Sequence, residues 1–116
     1  MTIYHIALRA DWADAQASGL YHVSTRGVTV EQEGFIHAST AEQIEGVANR
    51  FYADADAEDL VLLVIDPERL TAPLKYDQVP GADKPFPHIY GPLNVDAVTG
   101  TAELRRDAGH RFVFEG

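Results

Sequence analysis

The sequence predicts an α+β fold: a small, mostly antiparallel, split or barrel-like β-sheet with two helices in the N-terminal half. Three observations carry this. The helical periodicities fall early in the chain, the extended segments fall mostly late, and residues 60–66 (LVLLVID) form a continuous apolar run suited to a central strand covered on both faces.

Residues 2–8 (TIYHIAL) are rich in β-branched and aromatic types and short enough for a strand. Asp11 offers a helix N-cap. Trp12, Ala15 and Gln16 then share one side of a short helix, and Gly19 is placed to end it. Residues 20–24 (LYHVS) read as extended, and residues 25–34, with Gly27 and Gly34 among polar neighbours, as a flexible loop. Residues 35–38 (FIHA) are expected to be a short buried strand. A second helix follows, with two overlapping capping boxes, Ser39 with Glu42 and Thr40 with Gln43. Its body carries Ile44, Val47, Ala48 and Phe51 at the i, i+3, i+4, i+7 spacing of a helix lying on a core.

Asp54 to Asp59 is an acidic turn, and Pro67 closes the central strand that comes after it. Residues 74–79 can form another strand. Pro80, Gly81, Pro85 and Pro87 make residues 80–87 a loop, and a short strand over 88–90 is stopped by Gly91-Pro92. Strands over 95–104 and 111–115 end the chain, with Gly109 in the turn between them.

A length of 116 residues with 46% hydrophobic content fits one domain over 1–116 with a packed core. The formal charge of −9, from 18 acidic and 9 basic residues, opposes binding to DNA or to an anionic membrane. Arg105-Arg106 reads as solvated surface against that background. With no cysteine, disulfides, thiolate metal sites and cysteine nucleophiles are excluded, which fits a reducing compartment. No segment approaches the roughly 18 apolar residues of a membrane helix. Residues Met1 to His5 show no charged start leading into an apolar run. The expectation is a cytoplasmic protein, a monomer or weak homodimer, whose partner is a small molecule. Neither GxGxxG nor GxxxxGK[ST] occurs, so no dinucleotide fingerprint or P-loop is present.

Three segments can carry chemistry. In Gly34 to Thr40 (GFIHAST) a strand hands over to a helix, so His37 and Ser39 would lie beside free helix N–H groups suited to an anion or a ligand oxygen. His37 can act as acid or base there, or can be a hydrogen-bonded core residue while Ser39 and Thr40 merely cap. In Phe86 to Asn94 (FPHIYGPLN) prolines and glycine stiffen the backbone. Strand geometry puts His88 and Tyr90 on one face and Ile89 on the other. This is a preorganised site or a rigid turn whose rings only pack. In Tyr4-His5-Ile6, His5 shares a face with Ile3 and Ala7, as a core histidine usually does. His22 and His110 lack supporting context. The carboxylates Asp54, Asp56, Glu58 and Asp59 read as a solvated turn whose spacing does not match a calcium loop. A zinc site on His5, His37 and His88 lacks any short-spaced pair such as HxH or HxxxH, so no metal is expected.

Together YHIA, GFIHAST and FPHIYGPLN resemble, in the same order and over nearly the whole chain, a family of small bacterial proteins classed as domain of unknown function 952. That family is similar to the ADP-ribosyltransferase-like superfamily, whose split antiparallel fold holds NAD between two sheet halves. The resemblance implies that His5 takes the first-strand position, which contacts the ribose. It implies that His37 and Ser39 take the second, where tRNA 2′-phosphotransferases also carry a His-hydrophobic-Ser strand. It further implies a late glutamate, for which Glu103 is the only nearby candidate.

On this footing His37, His88 and Tyr90 are the candidate catalytic residues. His5, Ser39, Thr40 and Asn94 are the candidates for holding NAD or a related ADP-ribosyl compound. The corresponding activity is an ADP-ribosyl transferase or glycohydrolase. The alternative is a non-catalytic small-molecule-binding module using the same cleft.

Overall fold

The computed structural model describes residues 2–114. The first half of the chain forms β1 (Ile3–Leu8), α1 (Arg9–Ser18), β2 (Leu20–Tyr21), β3 (Val23–Thr25), β4 (Val28–Thr29), α2 (Val30–Glu33), β5 (Ile36–His37) and α3 (Ile44–Phe51). The second half is almost all extended: β6 (Leu60–Ile65), β7 (Leu74–Asp77), β8 (Phe86–Ile89), β9 (Leu93–Asn94), β10 (Val98–Ala102), β11 (Arg105–Arg106) and β12 (Phe112–Val113). Every described pairing is antiparallel.

The apolar run does become the middle strand of a three-stranded sheet, in the order β1-β6-β10. Side chains alternate along it, so it feeds two cores. Val61, Leu63 and Ile65 pack with Ile3, Ala7, Ile36, Ile89 and Leu93. Leu60 and Leu62 pack on the opposite face with Ile6, Phe112 and the α3 residues Ile44 and Ala48. Each such fully buried Leu or Ile contributes about 1.5–3 kcal/mol. A second three-stranded sheet, β5-β8-β7, lies over the first core, and β2-β9, β3-β4 and β11-β12 are separate ribbons. The expected sheet is thus distributed over several small antiparallel sheets that do not close into a barrel.

Local expectations shift where tertiary pairing overrides them. Helix α1 starts directly after β1, with Leu8 at the N-cap position and no side-chain cap; Asp11 lies inside the first turn instead. There its carboxylate faces the positive end of the helix dipole. Gln16 is exposed while Ala15 is buried. Gly19 ends the helix at φ 92°, its N–H donating to the Ala15 carbonyl at 2.7 Å.

Residues 25–34 are not a flexible loop. They form the β3–β4 hairpin turning at Gly27 (φ 73°), followed by the one-turn helix α2. A capping box starts that helix, Thr29 Oγ1 accepting from Gln32 N and Gln32 Oε1 accepting from Thr29 N.

Neither the Ser39 nor the Thr40 side chain caps α3, although Thr40 N–H donates to Gln43 Oε1 at 3.0 Å, the return half of the expected second box. The Ser39 backbone is paired with Tyr4 through two hydrogen bonds of 2.7 and 2.8 Å, and the chain makes a turn at Thr40 before the helix begins at Ile44. The last residue of the expected apolar stripe, Phe51, is 49% exposed.

Strand β8 starts within the expected proline loop and contains Pro87. The proline nitrogen has no hydrogen to give the neighbouring chain, while its carbonyl still accepts from Ala38 N–H at 3.0 Å just past the end of β5, where the ladder stops. The expected strand over 95–104 opens with a 3₁₀ turn, Val95–Ala97, and residue 115 of the expected last strand lies outside the described residues. Arg106 is more than solvated surface. It donates to the carbonyls of Ala53, Ala55 and His110 and lies 3.9 Å over the Phe112 ring. Among the described residues no helix is long and apolar enough to cross a membrane.

Candidate functional site

Strands β5 and β8 pair with Ile36 opposite Ile89 and His37 opposite His88. Both isoleucines are fully buried in the first core. The period of two therefore turns both histidines to the other face. On that face five rings gather. Phe35 stacks on His88 with centroids 4.0 Å apart, Phe86 meets His37 edge-on at 5.3 Å, and the two imidazoles lie 5.0 Å apart. Tyr90 completes the row, 6.5 Å from His88, while Ile89 points inward as the alternation requires.

The neighbouring strand β7 places Lys75 opposite His88 and Asp77 opposite Phe86. Asp77 Oδ2 accepts a hydrogen bond from His88 Nδ1 at 2.8 Å and a second from the Tyr90 hydroxyl. These two donors, Tyr90 first, hold the Asp77 carboxyl below its usual range. In return the bond to Asp77 raises the Tyr90 phenol. Lys75 Nζ sits 5.0 Å from the centre of the Tyr90 ring.

His5 joins this site from behind. It is 3% exposed, and both ring nitrogens are engaged: Nδ1 donates to the His37 carbonyl at 2.5 Å, and Nε2 accepts from the Tyr21 hydroxyl at 2.9 Å. Burial is the main reason its pKa falls to about 4. Burial, with the nearby His88, also lowers the His37 pKa to about 4. Both rings are therefore neutral at neutral pH.

A hollow of about 420 Å³ opens beside His37. Phe51, Phe86, Arg50, Lys84 and Gln43 form much of the rest of its wall. Val79 to Lys84, the loop between β7 and β8, closes one side. Arg50 lies over the Phe51 ring, and Lys84 pairs with Glu42 at 3.2 Å. A second chamber of about 20 Å³ adjoins it, bordered by His5, Ser24, His37, Ser39 and Tyr52. Three buried polar side-chain atoms among the described residues have no partner: His37 Nδ1, His88 Nε2 and Ser24 Oγ.

The residues singled out in the sequence are therefore distributed unequally. His37 borders both hollows, and His88 and Tyr90 stand beside it on the same sheet face. His5 and Ser39 reach only the small chamber. Thr40 and Asn94 border neither. The Asn94 carboxamide is taken up by the protein, donating to Arg69 O and Asp96 Oδ1 and accepting from Thr71 N. The Glu103 side chain is 82% exposed and pairs with Arg9 at 3.3 Å, away from both hollows. Among the described residues no cluster of three or more His, Asp or Glu side chains has metal-binding geometry.

Sequence reasoning missed Asp77 and Ser24. Asp77 carries no motif and is brought to His88 only by the β7–β8 register. Ser24 sits in a stretch that the sequence marks only as extended.

A family model described as "Protein of unknown function (DUF952)" matches residues 6–101. The crystal structure of protein CC0527 from Caulobacter crescentus is 36% identical, superposes with a TM-score of 0.81, and the match covers 97% of this chain and 94% of that one. A crystal structure of a double mutant of the same protein gives 35% identity, the same TM-score and the same coverage. Its solution structure is 36% identical with a TM-score of 0.75 over 95% of this chain and 90% of that one. No curated protein matches. With the family model spanning most of its length and a solved relative of the same fold, the chain belongs to the DUF952 family.

Proposed function

We propose that the chain binds a small organic ligand in the hollow beside His37, and that NAD and related ADP-ribosyl or phosphorylated compounds are the class it takes. The observation that carries this reading is the hollow itself. Its roughly 420 Å³ lies within the range of small-molecule sites, and its wall combines two phenylalanines with a few polar groups, the usual make-up of such sites. Phe51 and Phe86 suit a flat heterocycle, and Arg50 suits phosphate oxygens, whereas Lys84 is already paired with Glu42, which lines the hollow together with Asp83. His37, neutral at neutral pH, serves as a hydrogen-bond partner or a general base rather than as a cation.

Binding is the leading reading because two residues that the superfamily resemblance would use are otherwise occupied. His5 has both nitrogens bonded within the protein, and Glu103 lies outside the hollow. ADP-ribosyl transfer or NAD glycohydrolysis is the second reading. It is favoured by the chain of contacts His37–His88–Asp77–Tyr90, in which one carboxylate takes an imidazole and a phenol and the second imidazole stands against the first.

Titration with NAD and with ADP-ribose, followed by amide and imidazole chemical shifts, tests the binding reading. Saturable shifts at His37, Phe51 and Phe86 are expected, and their absence at millimolar ligand removes it. Nicotinamide release that His37→Ala abolishes would move the assignment to the second reading. Binding without any turnover keeps the first.

A further inference from the structure

From the small chamber we infer a specificity subsite for one neutral hydroxyl group of the ligand, held between Ser24 and His37. The inference rests on the hollow being the ligand site, and it adds what kind of group the adjoining chamber takes.

Three observations lead to it. The chamber measures about 20 Å³, room for one water-sized group and no more. Ser24 borders it, is 1% exposed, and its Oγ has no partner; His37 borders it too, with a buried and unpartnered Nδ1. Unpaired buried polar atoms each cost about 1–3 kcal/mol, so a group that pairs with them is strongly favoured. Finally, His37, Val47 and Phe51 border both the chamber and the large hollow. The two spaces therefore adjoin along these residues, of which Phe51 is half exposed.

The chemistry selects a hydroxyl. A serine hydroxyl both donates and accepts, and an imidazole nitrogen does one or the other according to tautomer. A water or an alcohol can satisfy both at once. A carboxylate would need a cation, and the chamber supplies none. His5 and His37 are both neutral there, and the His5 nitrogens are already bonded to His37 O and Tyr21. In the ligand-free protein the same position suits one ordered water; in the complex a hydroxyl takes its place after Phe51 turns aside.

Methanol, whose hydroxyl would enter the chamber while its methyl lies past Phe51 in the larger hollow, and formate, close to it in size and different in charge, are the probes. Methanol should give saturable amide and imidazole shifts at Ser24 and His37, and formate should not. Ser24→Ala should abolish the methanol shifts. Ser24→Thr, which keeps the hydroxyl but fills the chamber with a methyl group, should abolish them too, and Phe51→Ala should strengthen them. ADP-ribose should bind Ser24→Ala about tenfold more weakly than the native chain, the worth of one hydrogen bond. Equal shifts with formate, or methanol shifts that survive Ser24→Ala, overturn the subsite. ADP-ribose binding that is identical in the native chain and Ser24→Ala also overturns it, while leaving the hollow as ligand site intact. Methanol shifts that vanish in Ser24→Ala, in a protein that does not bind ADP-ribose at all, uphold the subsite and remove that ligand class from the hollow.

Discussion

The β1-β6-β10 sheet and the β5-β8-β7 sheet each have three strands, and they treat polarity in opposite ways. The first has a middle strand that is apolar from Leu60 to Ile65 and covered on both faces. The second gives one face to the core through Ile36 and Ile89 and turns His37 and His88 the other way. Two of the three unpartnered buried polar atoms among the described residues lie on that second face. Leaving such atoms unpaired is destabilising, so they are tolerated only where another sheet supplies the stability. The division gives folding to one sheet and, on the proposed reading, ligand binding to the other.

The sharpest way to break this comparison is to truncate one residue in each sheet. Leu63→Ala removes a fully buried side chain from β6 and should cost about 2–5 kcal/mol, read from the denaturant midpoint. His37→Ala removes a partly exposed ring whose side chain makes no hydrogen bond in the structure, and should cost no more than about 1 kcal/mol. It should nevertheless weaken ligand binding by about tenfold or more. Reversed stabilities would show that the division of roles is wrong.

Acid tests the joint between the sheets. His5 belongs to β1 by chain position and to the site by its bond to the His37 carbonyl. Its pKa is about 4 in the folded chain against 6.5 for the unperturbed group. Between those values the unfolded chain binds more protons than the folded one. Stability therefore rises with pH across that window and is lost as pH falls from 6.5 to 4. The loss from this one buried imidazole is about 3 kcal/mol. His37 acts in the same direction with a smaller share, being partly exposed. Denaturant midpoints measured from pH 7.5 to pH 4 should show this slope, and His5→Gln should flatten it.

A fourth substitution lies outside both sheets and sets a local baseline. Thr29→Ala removes the cap of α2 and should cost about 1 kcal/mol with no change in ligand binding.

That cap also shows how far the sequence could be read. Thr29-x-x-Gln32 has the capping-box spacing, but a four-residue helix shows no periodicity, so in sequence the segment reads as a loop. Ser39-x-x-Glu42 has the same spacing and caps nothing, because the Ser39 backbone is claimed by Tyr4. Local chemistry is equal in the two cases and long-range pairing decides. By contrast, the central strand was legible because an uninterrupted apolar run has few other uses. The shared face of His88 and Tyr90 was legible because alternation in a strand needs no partner. What could not be read was lateral register. Asp77 reaches His88 only because β7 and β8 align Asp77 with Phe86, and Ser24 reaches the chamber only through the packing of β3 near β5.

Asp77 gives the smallest expected effect and a clean measure of the site sheet alone. Its Oδ2 accepts from both His88 and Tyr90, and the carboxylate is what lifts the Tyr90 phenol above its ordinary range. Asp77→Asn keeps the size and one acceptor oxygen but removes the charge. Global stability should change little, because the residue lies outside both hydrophobic cores. The Tyr90 phenol should titrate at lower pH than in the native chain, read by NMR with labelled tyrosine to separate it from the other four. The imidazole signals of His88 should move as well, since Nδ1 exchanges a charged acceptor for a neutral one, while those of His5, held by Tyr21 and the His37 carbonyl, should stay in place. A shift at His5 equal to that at His88 would mean that the two sheets do not divide their roles at the His37 backbone. An unmoved Tyr90 would mean that Asp77 does not govern the site face at all.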